Sequence, residues 1–205
     1  MTNQKTNNHE NDTERLEETK TTIKKRKSTA KDVAYVALGT AIICVLAPLS
    51  IPVLPVPFSF ATLAVFFVSA MLGWKKGVVA VVAYILLGVV GLPVFSNFNS
   101  GFGVITGATG GYIVGYIPCA FLTGLFADLF RDKKLFPVAM VGGMILGLFA
   151  CYFLGTAWFV VFCQGSKTVA EALALCVTPF LLFDGAKMLL AATLTCFLNK
   201  VLKIR

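Results

Sequence analysis

Histidine and acid are the scarcest chemistry in this chain: one His, His9, and ten Asp and Glu among 205 residues. A lone imidazole in the polar N-terminal stretch rules out His-rich metal motifs. The six cysteines form no CxxC pair, so a zinc site is not expected. HExxH, GxSxG and P-loop patterns are missing, as is a GxGxxG in a βαβ setting. No ATP site, no cofactor and no enzymatic activity are therefore expected. Intramembrane proteolysis by paired aspartates needs two buried acids on facing helices, and Asp184 has no evident acid partner. Asp128 lies one turn from Arg131, where a cap or an ion pair accounts for it.

Charge is sparse as well. Only 14% of residues are charged and 57% are hydrophobic, with apolar runs near 20 residues long. That composition is outside the soluble range and marks an all-α integral membrane protein of one bundle domain. The net charge of +8 does not imply a nucleic-acid partner, because the basic residues cluster between apolar runs rather than on one face.

The runs give the order of the chain. Residues 1–31 are polar and have too few large aliphatics to form a core. They are expected to be a disordered cytoplasmic tail, or partly helical on the membrane, with the cluster Lys24, Lys25, Arg26, Lys27 and Lys31 held to anionic lipid headgroups. They do not read as a cleaved signal, since no short apolar stretch with a small-residue cleavage site follows. Residues 32–205 are expected to form the membrane domain. Its spans are read as Val33–Leu49, Phe58–Leu72, Gly77–Leu92, Ala108–Phe130, Leu135–Phe159 and Thr178–Leu198. Pro48, Pro52, Pro55 and Pro57 make 47–58 a stiff extended connection. Pro93–Gly107 is uncharged, rich in Gly, Asn and aromatics, and reads as a loop.

With the N-terminus inside, the cytoplasmic segments hold the tail cluster, Lys75 and Lys76, the Arg131 group and the C-terminal Lys200, Lys203 and Arg205. The outer connections hold only Lys167. The bias predicts a six-transmembrane-helix bundle with both termini cytoplasmic. Cys163 and Cys176 flank one outer loop, a placement open to a disulfide if their Cα atoms come within about 7 Å; the other cysteines lie in apolar runs and read as small hydrophobes.

Against this background Asp184-Gly185-Ala186-Lys187 stands out, inside the last apolar run. An ion at the centre of a lipid-facing helix costs about 2.5–3.5 kcal/mol on insertion scales, so two need partners or work. At i and i+3 they share a helix face and partly neutralise each other. They read either as an internal ion pair that fixes packing or as the polar floor of a ligand site. With both ends inside, they lie about two turns into the sixth helix from the outer side. The Pro93–Gly107 connection faces the same side, bringing Asn97, Asn99 and Tyr112 with Phe95, Phe98 and Phe102 as apolar walls. An acid, a base, amides and a phenol suit a small ligand with a carboxylate, neutral N–H donors and a ring.

Small residues recur four apart: Ala37 with Ala41, then Gly107, Gly111 and Gly115, then Ala139, Gly143 and Gly147. This spacing lets helix backbones approach closely where lipid gives no hydrophobic drive. The glycine ladders point to internal packing. Ala37 and Ala41, flanked by Ala34 and Gly39, form a smooth face that fits either an internal contact or a separate membrane protein.

Several of these stretches carry a family resemblance. Leu54-Pro55-Val56-Pro57, Gly73-Trp74-Lys75-Lys76-Gly77, Gly91-Leu92-Pro93-Val94-Phe95, Thr109-Gly110-Gly111-Tyr112 and Asp184-x-x-Lys187 resemble the BioY family, over about Lys31 to Lys203. These are the biotin-specific substrate-binding (S) subunits of energy-coupling factor (ECF) vitamin transporters. The resemblance implies a multi-pass cell-membrane protein that captures biotin at the outer face. It also implies docking on an ECF transmembrane coupling protein driven by two cytoplasmic ATPases. It assigns ligand contact to Asp184, Lys187, Tyr112 and one of Asn97 and Asn99, and coupling-protein contact to Ala37-x-x-x-Ala41. The chain departs from the family pattern at Ala108, where Pro is usual, at Ala61, where Gln is frequent, and at Phe183, where Gly often precedes the Asp. Alternatives that stay open are an S subunit for another vitamin, a stand-alone biotin facilitator, and an intramembrane enzyme using Asp184.

Overall fold

A computed structural model describes residues 30–51, 58–163 and 177–202. The chain divides into two units, Met1–Tyr35 and Val36–Arg205. Of the first, residues 30–35 are described and are helical; the expectations for the tail otherwise lie outside the described residues. So do those for Pro52, Pro55, Pro57, Lys167, Lys203, Arg205 and the Cys163–Cys176 pairing, which involves Cys176.

The second unit is helical. Residues 36–46 form α1, followed by a short antiparallel ribbon of β1 (Ser50–Ile51) and β2 (Phe58–Ser59), paired Ser50 to Ser59 and Ile51 to Phe58. Then come α2 (Ala61–Val90), a 3-10 turn at Ser96–Phe98, α3 (Phe102–Thr106), α4 (Gly110–Phe130), α5 (Phe136–Phe162) and α6 (Thr178–Leu202). By length and composition, four of the described helices are able to cross a membrane: Ala61–Val90, Gly110–Phe130, Phe136–Phe162 and Phe180–Val201.

The first of these four is a hairpin. Gly73 leaves helical geometry at φ 79° and ψ 177°. A Cβ built on Gly77 would lie 2.9 Å from the Cα of Ser69. In a continuous helix residues eight apart stand roughly 12 Å apart along the axis, so the chain folds back here into two antiparallel arms. The four residues 73–76 left between the two expected spans are thus a reversal at one residue, with Trp74, Lys75 and Lys76 already helical. Only glycine adopts that φ without strain, and a Cβ here would run into the Asp128 carboxylate.

Asp128 and Arg131 of the α4 end hold this reversal. Asp128 Oδ2 accepts from the Trp74 N–H at 3.1 Å, and Arg131 Nη2 donates to the carbonyls of Ala70 and Met71, each at 3.3 Å. The pair is bridged at 3.1 Å. The carbonyls at the end of the first arm have no intrahelical donor, and the guanidinium supplies one.

The glycine ladders work as expected from their spacing. Gly111 and Gly115 on α4 lie against Trp158, Leu154 and Cys151 of α5, while Gly143 and Gly147 on α5 receive Phe126 and Cys119 of α4. Gly107 is not part of the ladder. It ends α3, and its carbonyl accepts from Trp158 Nε1 at 2.9 Å. The expected loop Pro93–Gly107 contains the 3-10 turn and α3, with Asn97 and Phe98 both at positive φ. The core runs through Ile43, Val65, Phe66, Tyr84, Met140 and Met144, all at most 1% exposed.

Candidate functional site

The face of α6 turned inward is written in the sequence at helical spacing: Phe180, Asp184, Lys187, Ala191 and Thr195 are buried, while Leu182, Leu189 and Phe197 are exposed. Asp184 is 3% exposed and Lys187 6%. Their i and i+3 placement brings Lys187 Nζ to 2.8 Å from Asp184 Oδ1. Neither ion is satisfied by the other alone.

The remaining partners come from two other elements. At the entry to α2, Lys187 Nζ donates to the Ser59 carbonyl at 2.7 Å and to Thr62 Oγ1 at 3.2 Å, and Thr62 Oγ1 donates to Asp184 Oδ1 at 3.1 Å. Ser59 is itself fixed, its Oγ donating to the Ala47 carbonyl at 2.8 Å and accepting from the Ala61 N–H at 3.0 Å. The ammonium also sits 4.1 Å from the centre of the Phe58 ring, a cation–π contact worth roughly 2 kcal/mol when desolvated. From α5, the Tyr152 hydroxyl donates a short hydrogen bond to Asp184 Oδ2. An ammonium with three donors and a carboxylate with three incoming hydrogen bonds make a cluster that carries no net charge into the bundle.

The other sequence-predicted residues fall in different surroundings. Tyr112, in the first turn of α4, is buried with its ring over Gly155 and its hydroxyl 3.4 Å from Thr156 Oγ1. Thr156 is one helical turn from Tyr152, so α5 forms a wall common to Tyr112 and Asp184. Asn97 is exposed and ties its loop to β1: its N–H donates to Ser50 Oγ at 2.7 Å, and its Oδ1 accepts from the same hydroxyl at 3.0 Å. Asn99 is exposed and turns its Nδ2 back to the Ser96 carbonyl at 3.0 Å. Phe95 was expected as a pocket wall but is 1% exposed, edge-on to Tyr84 and seated on Gly88. Phe98 and Phe102 are exposed. Ala37 and Ala41 lie on the exposed side of α1, opposite the buried Gly39, Thr40 and Ile43.

Sequence reasoning missed Tyr152, Thr62, Ser59 and Phe58. The one usable signal was Tyr152, the only tyrosine within α5, in the middle of an apolar run. A buried Tyr hydroxyl needs a partner.

A bundle of apolar helices long enough to cross a membrane, with a buried, hydrogen-bonded acid–base pair where three elements meet, defines a multi-pass membrane protein with a buried polar site. The comparisons give the family. The BioY family profile matches residues 18–204, and the chain belongs to the BioY family. It is 39% identical over 162 residues to the biotin transporter BioY of Thermotoga maritima, covering 79% of this chain and 92% of that protein. It is 35% identical over 157 residues to biotin transporter BioY2 of Lactococcus lactis subsp. cremoris, covering 76% and 82%. Its fold matches the crystal structure of the S-component for biotin from an ECF-type ABC transporter, with a TM-score of 0.76 and 25% identity over 85% of this chain and 93% of that one.

Proposed function

We propose that this protein binds biotin with high affinity from the outer side of the membrane and passes it inward as the substrate-specific subunit of an ATP-driven ECF transporter. The observation that carries this reading is the buried Asp184–Lys187 cluster in a chain of the BioY family. The relatives named as biotin transporters and the similar S-component support the ligand. In this reading six crossings place both termini in the cytoplasm, the α2 hairpin supplying two of them. The charge bias of the connections supports that orientation.

The chemistry of the ligand fits the cluster. Biotin carries two ureido N–H donors, a ureido oxygen and a carboxylate on an otherwise apolar frame. Asp184 accepts from the ureido N–H, and Lys187 exchanges one of its three protein acceptors to donate to the ureido oxygen or the carboxylate. Tyr112 and an asparagine of the 96–99 turn, Asn97 or Asn99, contribute further contacts. The partners are a transmembrane coupling protein, met through Ala37 and Ala41, and two cytoplasmic ATPases.

Removing one member of a buried ion pair leaves the other uncompensated, at about 3–5 kcal/mol. Asp184→Asn and Lys187→Ala should therefore each weaken biotin binding by more than about a hundredfold. Calorimetry on detergent-purified protein measures this, and either variant binding biotin like the wild type removes the proposed roles. The same titration should return biotin chemically unchanged; turnover would mark an intramembrane enzyme instead.

A further inference from the structure

The carboxylate that the proposed function assigns to the ureido group is held from the side opposite Lys187. Lys187 and Thr62 both reach Oδ1, at 2.8 and 3.1 Å. Oδ2 is met by the hydroxyl of Tyr152, which is 8% exposed and comes from a different helix. Among the described residues the two oxygens are thus unequal: Oδ1 is neutralised by the ammonium, and Oδ2 is tempered by a phenol alone. A carboxylate oxygen has two lone-pair directions, so an incoming N–H finds room at Oδ2 beside the phenol rather than at Oδ1.

We propose that Tyr152 is a positioning and specificity-determining residue, whose hydrogen bond to Asp184 Oδ2 orients the carboxylate and matches its acceptor strength to a neutral urea rather than to a cation. This rests on the reading of the site as a biotin site. The donor serves two ends. It fixes the plane of the carboxylate, leaving the remaining Oδ2 lone pair pointed at one N–H. It also withdraws negative charge from Oδ2, lowering its attraction for a positively charged head group in a low-dielectric setting. Tyr152 lies one helical turn from Gly155 and Thr156, against which Tyr112 sits.

The test compares biotin with 2-iminobiotin, in which the ureido oxygen is replaced by a nitrogen that is protonated at neutral pH, giving a guanidinium of the same shape. Both are titrated calorimetrically into the full-length wild type and Tyr152→Phe. Losing a hydrogen bond to a charged group should weaken biotin by about tenfold or more. The cationic analogue gains from the less tempered carboxylate, so the ratio of the two affinities should move toward 2-iminobiotin by about tenfold. A purely structural role weakens both ligands alike. A ratio that stays put, or moves toward biotin, overturns the proposal.

Should Tyr152→Phe not fold, 3-fluorotyrosine at position 152 keeps the hydroxyl and makes it a stronger donor. The ratio is then expected to move toward biotin, and no movement or the opposite one overturns the proposal. Wild-type protein that binds neither ligand overturns the functional reading itself. Wild type that binds biotin and loses it on Lys187→Ala, with a ratio unmoved by the change at 152, overturns only the assignment of Tyr152.

Discussion

Thr62 performs two tasks with one hydroxyl, accepting from Lys187 and donating to Asp184. Thr62→Val keeps the shape and deletes both bonds, leaving each ion one partner short in a buried site. The expected loss is about 1.5–3 kcal/mol of stability, since the hydrogen bonds are to charged groups. Thermal unfolding in detergent reads it, and an unchanged melting temperature would show the hydroxyl to be idle. At this scale Asp184 and Lys187 were legible, because ions inside an apolar run demand an explanation from the sequence alone. Thr62 was not, and Tyr152 left only a weak signal as the single tyrosine of α5. A threonine or tyrosine in a hydrophobic stretch is ordinary, and what makes these two special is the packing of α5 and the α2 entry against α6. Phe95, read from the sequence as an apolar wall of the 93–107 connection, is buried with its ring over Gly88.

Among the elements, α2 departs furthest from a reading of apolar runs. The two runs were visible, and so was a break near Gly73, but not that one residue makes the whole reversal. That depends on the sign of φ and on a carboxylate arriving from α4, neither of which is encoded nearby. Gly73→Ala forces a side chain into the left-handed region, at about 1–2 kcal/mol, and places a Cβ 2.3 Å from Asp128 Oδ2. The melting temperature should fall clearly, whereas Gly142→Ala, whose Cβ meets nothing within 4 Å, should leave it unchanged. Equal melting temperatures for the two variants would refute the account of the reversal. The glycine ladders of α4 and α5 were legible because spacing by four is a property of the sequence. The short β1–β2 ribbon and α3 were not, being set by contacts of the loops with their neighbours.

The whole molecule presents α1 with Ala37 and Ala41 outward and the buried residues behind them. In the proposed transporter this smooth strip meets the coupling protein. Replacing both alanines by Trp should leave biotin affinity unaltered and abolish co-purification of the coupling protein. Lost binding with the complex retained would assign the strip to internal packing.

The bond from Lys187 to the Ser59 carbonyl joins positions 128 apart in the chain. The acid and base belong to α6, while their partners belong to β2, the start of α2 and α5. No fragment made before α6 has been synthesised holds the complete cluster. In the proposed function, a vitamin held by that cluster acts as an assembly ligand: by mass action it favours chains that have completed their bundle over those still partly folded.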